Sequence, residues 1–160
     1  MQISKQLPSK AAEFLFDQVA MTHRFVVEID ESTYNFGSWT KVSGLNVSWV
    51  KHVYRHGQSN HDTVLPGVVS YQNIVLARAA CSDTATVKRW LGEVPRGRQR
   101  LSGAIQMLDF TGLPIVTWEL TDFFPIQWSI SGFDAMAAKP AVEELHLAHS
   151  GFLDNDGLVG

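Results

Sequence analysis

The spacing of apolar and polar residues changes period along the chain, and each change marks an element. In RFVVEID, Phe25, Val27 and Ile29 alternate with Val26, Glu28 and Asp30, the two-residue period of a half-buried strand. A turn at Glu31–Ser32 leads into YNFGSW, a second strand, and VSGL at 42–45 supplies a glycine bend. LNVSWVKHVYRHG then reads as one long strand, with Leu45, Val47, Trp49 and Val53 on one face and Asn46, Ser48, His52 and Tyr54 on the other. Lys51 falls on the apolar face, so the strand is expected to project beyond the core there. Residues 56–67, HGQSNHDTVLPG, are polar and close with Pro66–Gly67, which predicts an exposed excursion between strands. The next strand is expected over VVSYQNIVLAR, rich in β-branched and aromatic residues.

The period becomes helical once. In SDTATVKRWLGEV, Val87, Trp90, Leu91 and Val94 recur at helical spacing while Lys88 and Arg89 face away, with Asp83 at the cap position and Pro95 and Gly97 at the end. The β pattern returns in GAIQMLDF, a turn at Thr111–Gly112, and PIVTWELTDF. A separate strand, FPIQWSI, places Ile126, Trp128 and Ile130 on one face. FDAMAAK reads as a loop or a single helical turn before Pro140, and AVEELHLAH as the last strand. About eight strands and one helix predict a mainly β domain of the sandwich or small-barrel kind. The boundaries are an N-terminal extension over 1–21, the β domain over 22–152 and a polar C-terminal tail over 153–160. Within the extension, residues 9–20 read either as a short amphipathic helix after Pro8, with Ser9 at the cap position and Phe14, Leu15, Phe16 and Val19 on its sticky side, or as a tag-like arm partly disordered in isolation.

Composition narrows the classes of function. At 160 residues with 45% apolar, 18% charged, five Trp and nine Phe, the chain has enough apolar surface for one core. Thirteen Lys+Arg against sixteen Asp+Glu gives a net charge of −3, the wrong sign for a phosphate-neutralising nucleic-acid binder or a polybasic membrane module. Cys81 is the single cysteine and makes no internal disulfide. No window reaches the roughly twenty apolar residues of a membrane helix. Glu13 and Asp17 interrupt the N-terminal apolar patch, which argues against a signal peptide and for cytoplasmic assembly.

Candidate chemistry is sparse. His52 and His56 share a strand face but stand about 13 Å apart by strand rise, so a zinc site with His61 and Asp62 requires the loop to fold back. Solvated loop histidines are the simpler account. His146 and His149, three apart on a strand, point to opposite faces, as do the adjacent Glu143 and Glu144, which cannot act as an acid–base pair. Cys81 precedes the helix without a recognisable base. Asp109, Glu119 and Asp122 are scattered over a hairpin, and RGRQR at 96–100 is the one basic cluster. There is no phosphate-binding loop, nucleophile elbow, dinucleotide fingerprint or zinc helix. The expectation is a non-enzymatic protein without catalytic residues, cofactor or metal.

The ordered series RFVVEID, VSGL, YRHG, LPG, KRWLGEV, LDFTGLP, WELTDFFPIQW and FDAMAAKPAVEELHLAH resembles the contractile-phage tail tube family. It is most similar to the relatives in extracellular contractile injection systems, a group that shares its fold with haemolysin-coregulated proteins. The resemblance spans about residues 22–152. It implies two packed antiparallel sheets closed into a small β-barrel with one flanking helix, and six subunits per ring. The rings stack into a tube around a lumen that carries protein cargo or phage DNA, with sheath, baseplate and tube-capping proteins as partners. It implies an inter-ring stacking loop at His56, Gly57, Gln58, Ser59, Asn60, His61 and Asp62, and a subunit-contact segment at Phe133, Asp134, Ala135 and Met136. The lumen is assigned to the polar face carrying Ser48, His52, Ser70 and Gln72, and the extension to docking on a baseplate or capping protein. No membrane and no specific nucleic acid are expected as partners. A specialised ring at the baseplate or tube end is the alternative within the family. A small-molecule-binding β-barrel module is the alternative outside it.

Overall fold

The computed structural model describes residues 24–30, 34–94 and 101–153. Among the described residues, nine strands and one helix follow in the order β1 (Arg24–Ile29), β2 (Ser38–Trp39), β3 (Lys41–Ser43), β4 (Val47–Arg55), β5 (Asp62–Tyr71), β6 (Ile74–Ala79), α1 (Thr84–Glu93), β7 (Leu101–Leu108), β8 (Pro114–Ile130) and β9 (Val142–Ala148). Seven strands form one antiparallel ladder in the order β2-β1-β7-β8-β9-β6-β3, and β4 with β5 forms a separate two-stranded sheet.

The mainly β reading with one helix holds, but the expected barrel does not close. The two end strands of the ladder, β2 and β3, are successive pieces of one segment separated by Thr40, so they cannot pair with each other. The ends meet through the chain instead: the Thr40 N–H and hydroxyl both donate to the Ala77 carbonyl of β6, at 3.1 and 3.0 Å. The two expected sheets are likewise halves of one ladder, because β8 belongs to both. Its first half pairs with β7 and its second half, Phe124–Ile130, pairs with β9. The predicted break between PIVTWELTDF and FPIQWSI is therefore a corner inside a 17-residue strand. Asp122, with φ 50°, bends the backbone there, and Thr121 bridges to Gly151. A second bulge near Ile126 turns that side chain outward, so the face expected to hold Ile126, Trp128 and Ile130 loses its first member.

VVSYQNIVLAR is also two strands. Gln72–Asn73 forms a corner, so that β5 pairs outward with β4 and β6 pairs inward with β9. The apolar sides of both ladder halves share one core of Val27, Ile29, Ile105, Leu120 and Phe123 with Ile74, Leu76, Leu145 and Leu147. Helix α1 closes it with Val87 and Trp90, the latter edge-on to Phe36 at 5.0 Å. Lys88 and Arg89 are exposed as expected. Asp83 precedes the helix but makes no side-chain capping bond; its carboxyl occupies the space over Gly37, where a Cβ would lie 2.0 Å from Oδ2.

One ionic cluster lies inside this core. Arg78 of β6 and Glu143 of β9 are both buried, with Nε 2.7 Å from Oε2. Glu143 also accepts from the Thr84 hydroxyl at 2.8 Å and the Trp128 indole at 3.0 Å. Arg78 donates to the Phe36 carbonyl and stacks 4.1 Å over the Trp39 ring. Glu144, its sequence neighbour, faces out beside His146 at 3.6 Å, so the two glutamates do point opposite ways.

Replacing Glu143 with Ala strands the Arg78 charge inside the core and is expected to cost about 3–5 kcal/mol in urea unfolding. The pair Arg78→Met with Glu143→Leu costs less than Glu143→Ala alone, because no unpaired charge remains. The β7–β8 turn has a pH signature. The Thr111 hydroxyl, then the Leu113 and other backbone N–H groups, hold the Asp109 carboxyl below its ordinary 3.8. A lowered folded value means the contribution is complete above 3.8 and is lost as pH falls through the folded value. An NMR titration of Asp109 is expected to show the depressed value, and Asp109→Ala to speed amide exchange at Thr111 and Leu113.

Candidate assembly surface

The β4–β5 hairpin stands away from the core. Every residue from Ser48 to Pro66 is exposed, so the strand leaves the core before Lys51, where it was expected to project, and Trp49 and Val53 of the expected apolar face are uncovered. Register places Ser48 opposite Ser70, His52 opposite Leu65 and Lys51 opposite Pro66, with a bulge around Val50. By this register one face carries Ser48, Val50, His52 and Tyr54 with Leu65, Val68 and Ser70. The other carries Trp49, Lys51 and Val53 with Val64 and Val69. Both faces therefore expose large apolar side chains: Trp49, Val50, Val53, Tyr54, Val64, Leu65 and Val68.

A two-stranded ribbon alone in water is marginal, and each of these strands has one ladder partner, leaving an open edge on either side. The arrangement offers backbone and apolar groups to another chain, not a reaction centre. Its tip is an ordered turn. The Ser59 N–H donates to the His56 carbonyl at 3.0 Å and the His61 N–H to the Ser59 hydroxyl at 3.1 Å, while Arg55 and Asp62 pair across the strands at 2.8 Å. His56, Gly57, Gln58, Ser59, Asn60, His61 and Asp62 all lie at this tip and are exposed. The excursion expected to run to Gly67 ends sooner, because β5 already pairs with β4 from Asp62. Pro66 is tolerated in the strand because β5 has a free edge and the bulge lies beside it.

Of the residues assigned to the lumen, Ser48, His52 and Ser70 share one face of the hairpin. That face is mixed, since Val50, Leu65 and Val68 stand among them. Gln72 lies beyond β5, where its side chain accepts from the Asn46 amide at 2.9 Å. A second exposed apolar group lies between β8 and β9. The turn holding Phe133, Asp134, Ala135 and Met136 is fastened by the Asp134 carboxylate on the Met136 N–H at 2.9 Å, and presents Phe133 at 79% and Met136 at 94% exposure. Phe124, Ile126 and Val142 are exposed on the strands on either side of it.

Phe14, Leu15, Phe16 and Val19 of the extension, and the basic run at 96–100, lie outside the described residues. Among the described residues no group of three or more His, Cys, Asp or Glu is placed to hold a metal ion. His149 lies past the end of β9, not on a strand face opposite His146. Cys81 is exposed, and its backbone N–H donates to the Thr84 hydroxyl at 3.0 Å. Among the described residues no helix is long and apolar enough to cross a membrane. The sequence reading missed the Arg78–Glu143 pair. Its available signal was an arginine closing the apolar run IVLAR and a glutamate on the inward parity of VEELHL.

Residues 21–153 match the family model described as T4-like virus tail tube protein gp19. The chain belongs to this tail tube family. It is a structural family without enzymatic activity. Among solved structures, a chain in the six-fold symmetrised baseplate of the anti-feeding prophage is 25% identical with a TM-score of 0.62, covering 82% of this chain and 91% of that one. A chain in the extended sheath–tube complex of the PVC extracellular contractile injection system is 24% identical with a TM-score of 0.63, covering 79% and 84%. A chain in the tube-terminating cap of the anti-feeding prophage is 23% identical with a TM-score of 0.60, covering 78% and 82%. The last two show the shared fold. None of the curated proteins compared matches the chain.

In the isolated subunit of this tail tube protein, backbone amides of β4 and β5 are expected to exchange faster than those of β6 and β9, measured by hydrogen exchange. Ser substitutions at Val53 and Leu65 are expected to change the unfolding midpoint of the body by no more than about 0.5 kcal/mol equivalent, since neither residue enters the core.

Proposed function

We propose that this tail tube protein is the inner-tube subunit of a contractile injection system or phage tail, assembling as hexameric rings stacked around a lumen. The observation that carries the reading is the β4–β5 hairpin, apolar on both faces, open at both edges and without cover from its own core. Such a ribbon is stabilised when a second copy pairs with its edge and covers its faces, and closed rings satisfy every copy alike. The tip at 56–62 serves as the inter-ring contact, and the turn at Phe133–Met136 as a contact between subunits. Ser48, His52, Ser70 and Gln72 contribute to a lumen for protein cargo or phage DNA, held without sequence-specific nucleic-acid contacts and without a membrane. Sheath, baseplate and capping proteins are the partners, and the particle is assembled in the cytoplasm. Membership of a structural tail tube family leaves no support for the small-molecule-binding alternative.

A second reading, a specialised ring next to the baseplate, has one specific support: the 25% identical chain belongs to a baseplate. In that reading Phe14, Leu15, Phe16 and Val19 dock the extension onto a baseplate or capping protein.

Negative-stain electron microscopy across a concentration series tests the assembly. Six-fold rings or tubes are the expected outcome, and persistent monomers in the presence of baseplate proteins overturn it. Asn60→Arg with Asp62→Arg is expected to leave the fold intact and abolish long tubes. Removing residues 1–20 is expected to spare self-assembled tubes but prevent completion of particles if the second reading is right.

A further inference from the structure

The base of the β4–β5 hairpin is fastened, unlike the rest of it. The chain enters the hairpin through Gly44–Asn46 and returns to the ladder through Gln72–Asn73, and these two corners are bonded to each other. The Asn46 side-chain amide donates to Gln72 Oε1 at 2.9 Å, and the Gln72 N–H donates to the Asn46 carbonyl at 3.3 Å. Gly44 has φ +87° and approaches so closely that a Cβ there would lie 2.0 Å from the Asn73 carbonyl oxygen.

One side chain from elsewhere in the fold reaches this double corner. His149 follows β9, and its Nε2 lies 2.9 Å from the Gln72 carbonyl oxygen. A carbonyl only accepts, so Nε2 carries the hydrogen and donates it. The imidazole also packs 5.4 Å from the Tyr71 ring and 5.7 Å from Phe152, which meets Tyr71 edge-on at 5.1 Å. Nδ1 is buried without a hydrogen-bond partner, so the Gln72 carbonyl is the one polar contact of the ring. An aromatic cluster at the last residue of β5, with the directed hydrogen bond from His149 to the Gln72 carbonyl, holds the hairpin where it leaves the body.

We propose that His149 is a positioning residue for assembly: by gripping Gln72 and Tyr71 it fixes the angle at which the hairpin leaves the ladder. The proposal rests on the reading of the hairpin as an assembly surface. From Ser48 to Pro66 no residue is buried, so the orientation of the arm is set at its base. A neighbouring copy must meet the arm at one angle, and an arm already held there loses less conformational freedom on contact.

The test uses the full chain with spin labels at the native, exposed Cys81 and at Ser59→Cys on the tip, magnetically diluted with unlabelled protein. The expected result is one narrow distance distribution in the parent and a broadened one in His149→Ala. The threshold concentration for tubes is expected to rise roughly fivefold, the net worth of one ordinary hydrogen bond. His149→Gln, which can still donate to the Gln72 carbonyl, restores the narrow distribution. If the alanine variant unfolds, His149→Phe keeps the ring packing and removes the donor, with the same broadening expected. An unchanged distribution, or a broadened one with unchanged assembly, overturns the proposal. The tip variant Asn60→Arg with Asp62→Arg then separates the two failures. If it still forms normal tubes, the hairpin reading falls as well; if it does not, only the role of His149 falls.

Discussion

The buried carboxylate of Glu143 organises the molecule. It receives Arg78 from the neighbouring strand, Trp128 from the far half of β8 and Thr84 from the first turn of α1, so three elements are fixed by one side chain. Through Arg78 the same cluster reaches the Phe36 carbonyl and the Trp39 ring, and with them the segment that joins the two ends of the ladder. An unpaired charge in this core would be costly, so alternative placements of the helix or of the 34–39 segment are disfavoured. The apolar core supplies the main driving force for folding, and the ionic cluster favours one arrangement of it.

That division leaves the protein packed around a core in its body and open along one arm. The ladder turns its apolar side onto a shared core and covers it with α1. The β4–β5 hairpin is left with apolar residues on both faces and an open edge on each strand. Such an element is a liability in a monomer and an asset in a polymer, because the surface it leaves uncovered is the surface a second copy can take. The joint between body and arm is correspondingly specialised, with a left-handed glycine, reciprocal Asn46–Gln72 bonds and an aromatic grip at Tyr71.

Much of the local structure was legible in the chain. Strand parity in RFVVEID, the glycine bend at Gly44 and the helical spacing of Val87 and Trp90 all depend on near-neighbour periodicity, and all appear as read. The opposed glutamates followed from parity too. The errors share a cause. Pro125 and the pair Phe123–Phe124 look like a strand break, yet β8 continues through them because it exchanges one partner for another at a corner. VVSYQNIVLAR looks like one strand, yet it divides because its halves pair in different sheets. Pairing partners are long-range facts that a local period does not contain.

The sequence by itself determined the β class, the helix at Thr84–Glu93, the absence of a recognisable catalytic motif and the family pattern, since these are written in periodicity and in the order of short motifs. Only the tertiary structure decided that the ladder stays open, with its ends joined at Thr40. It also decided that Arg78 and Glu143, 65 residues apart, meet inside the core, and that His149 reaches the base of the hairpin. The physical reason is the same in each case. Strand pairing and side-chain contacts across the core join residues distant in sequence, and the free energy that selects them exists only once the whole sheet has formed.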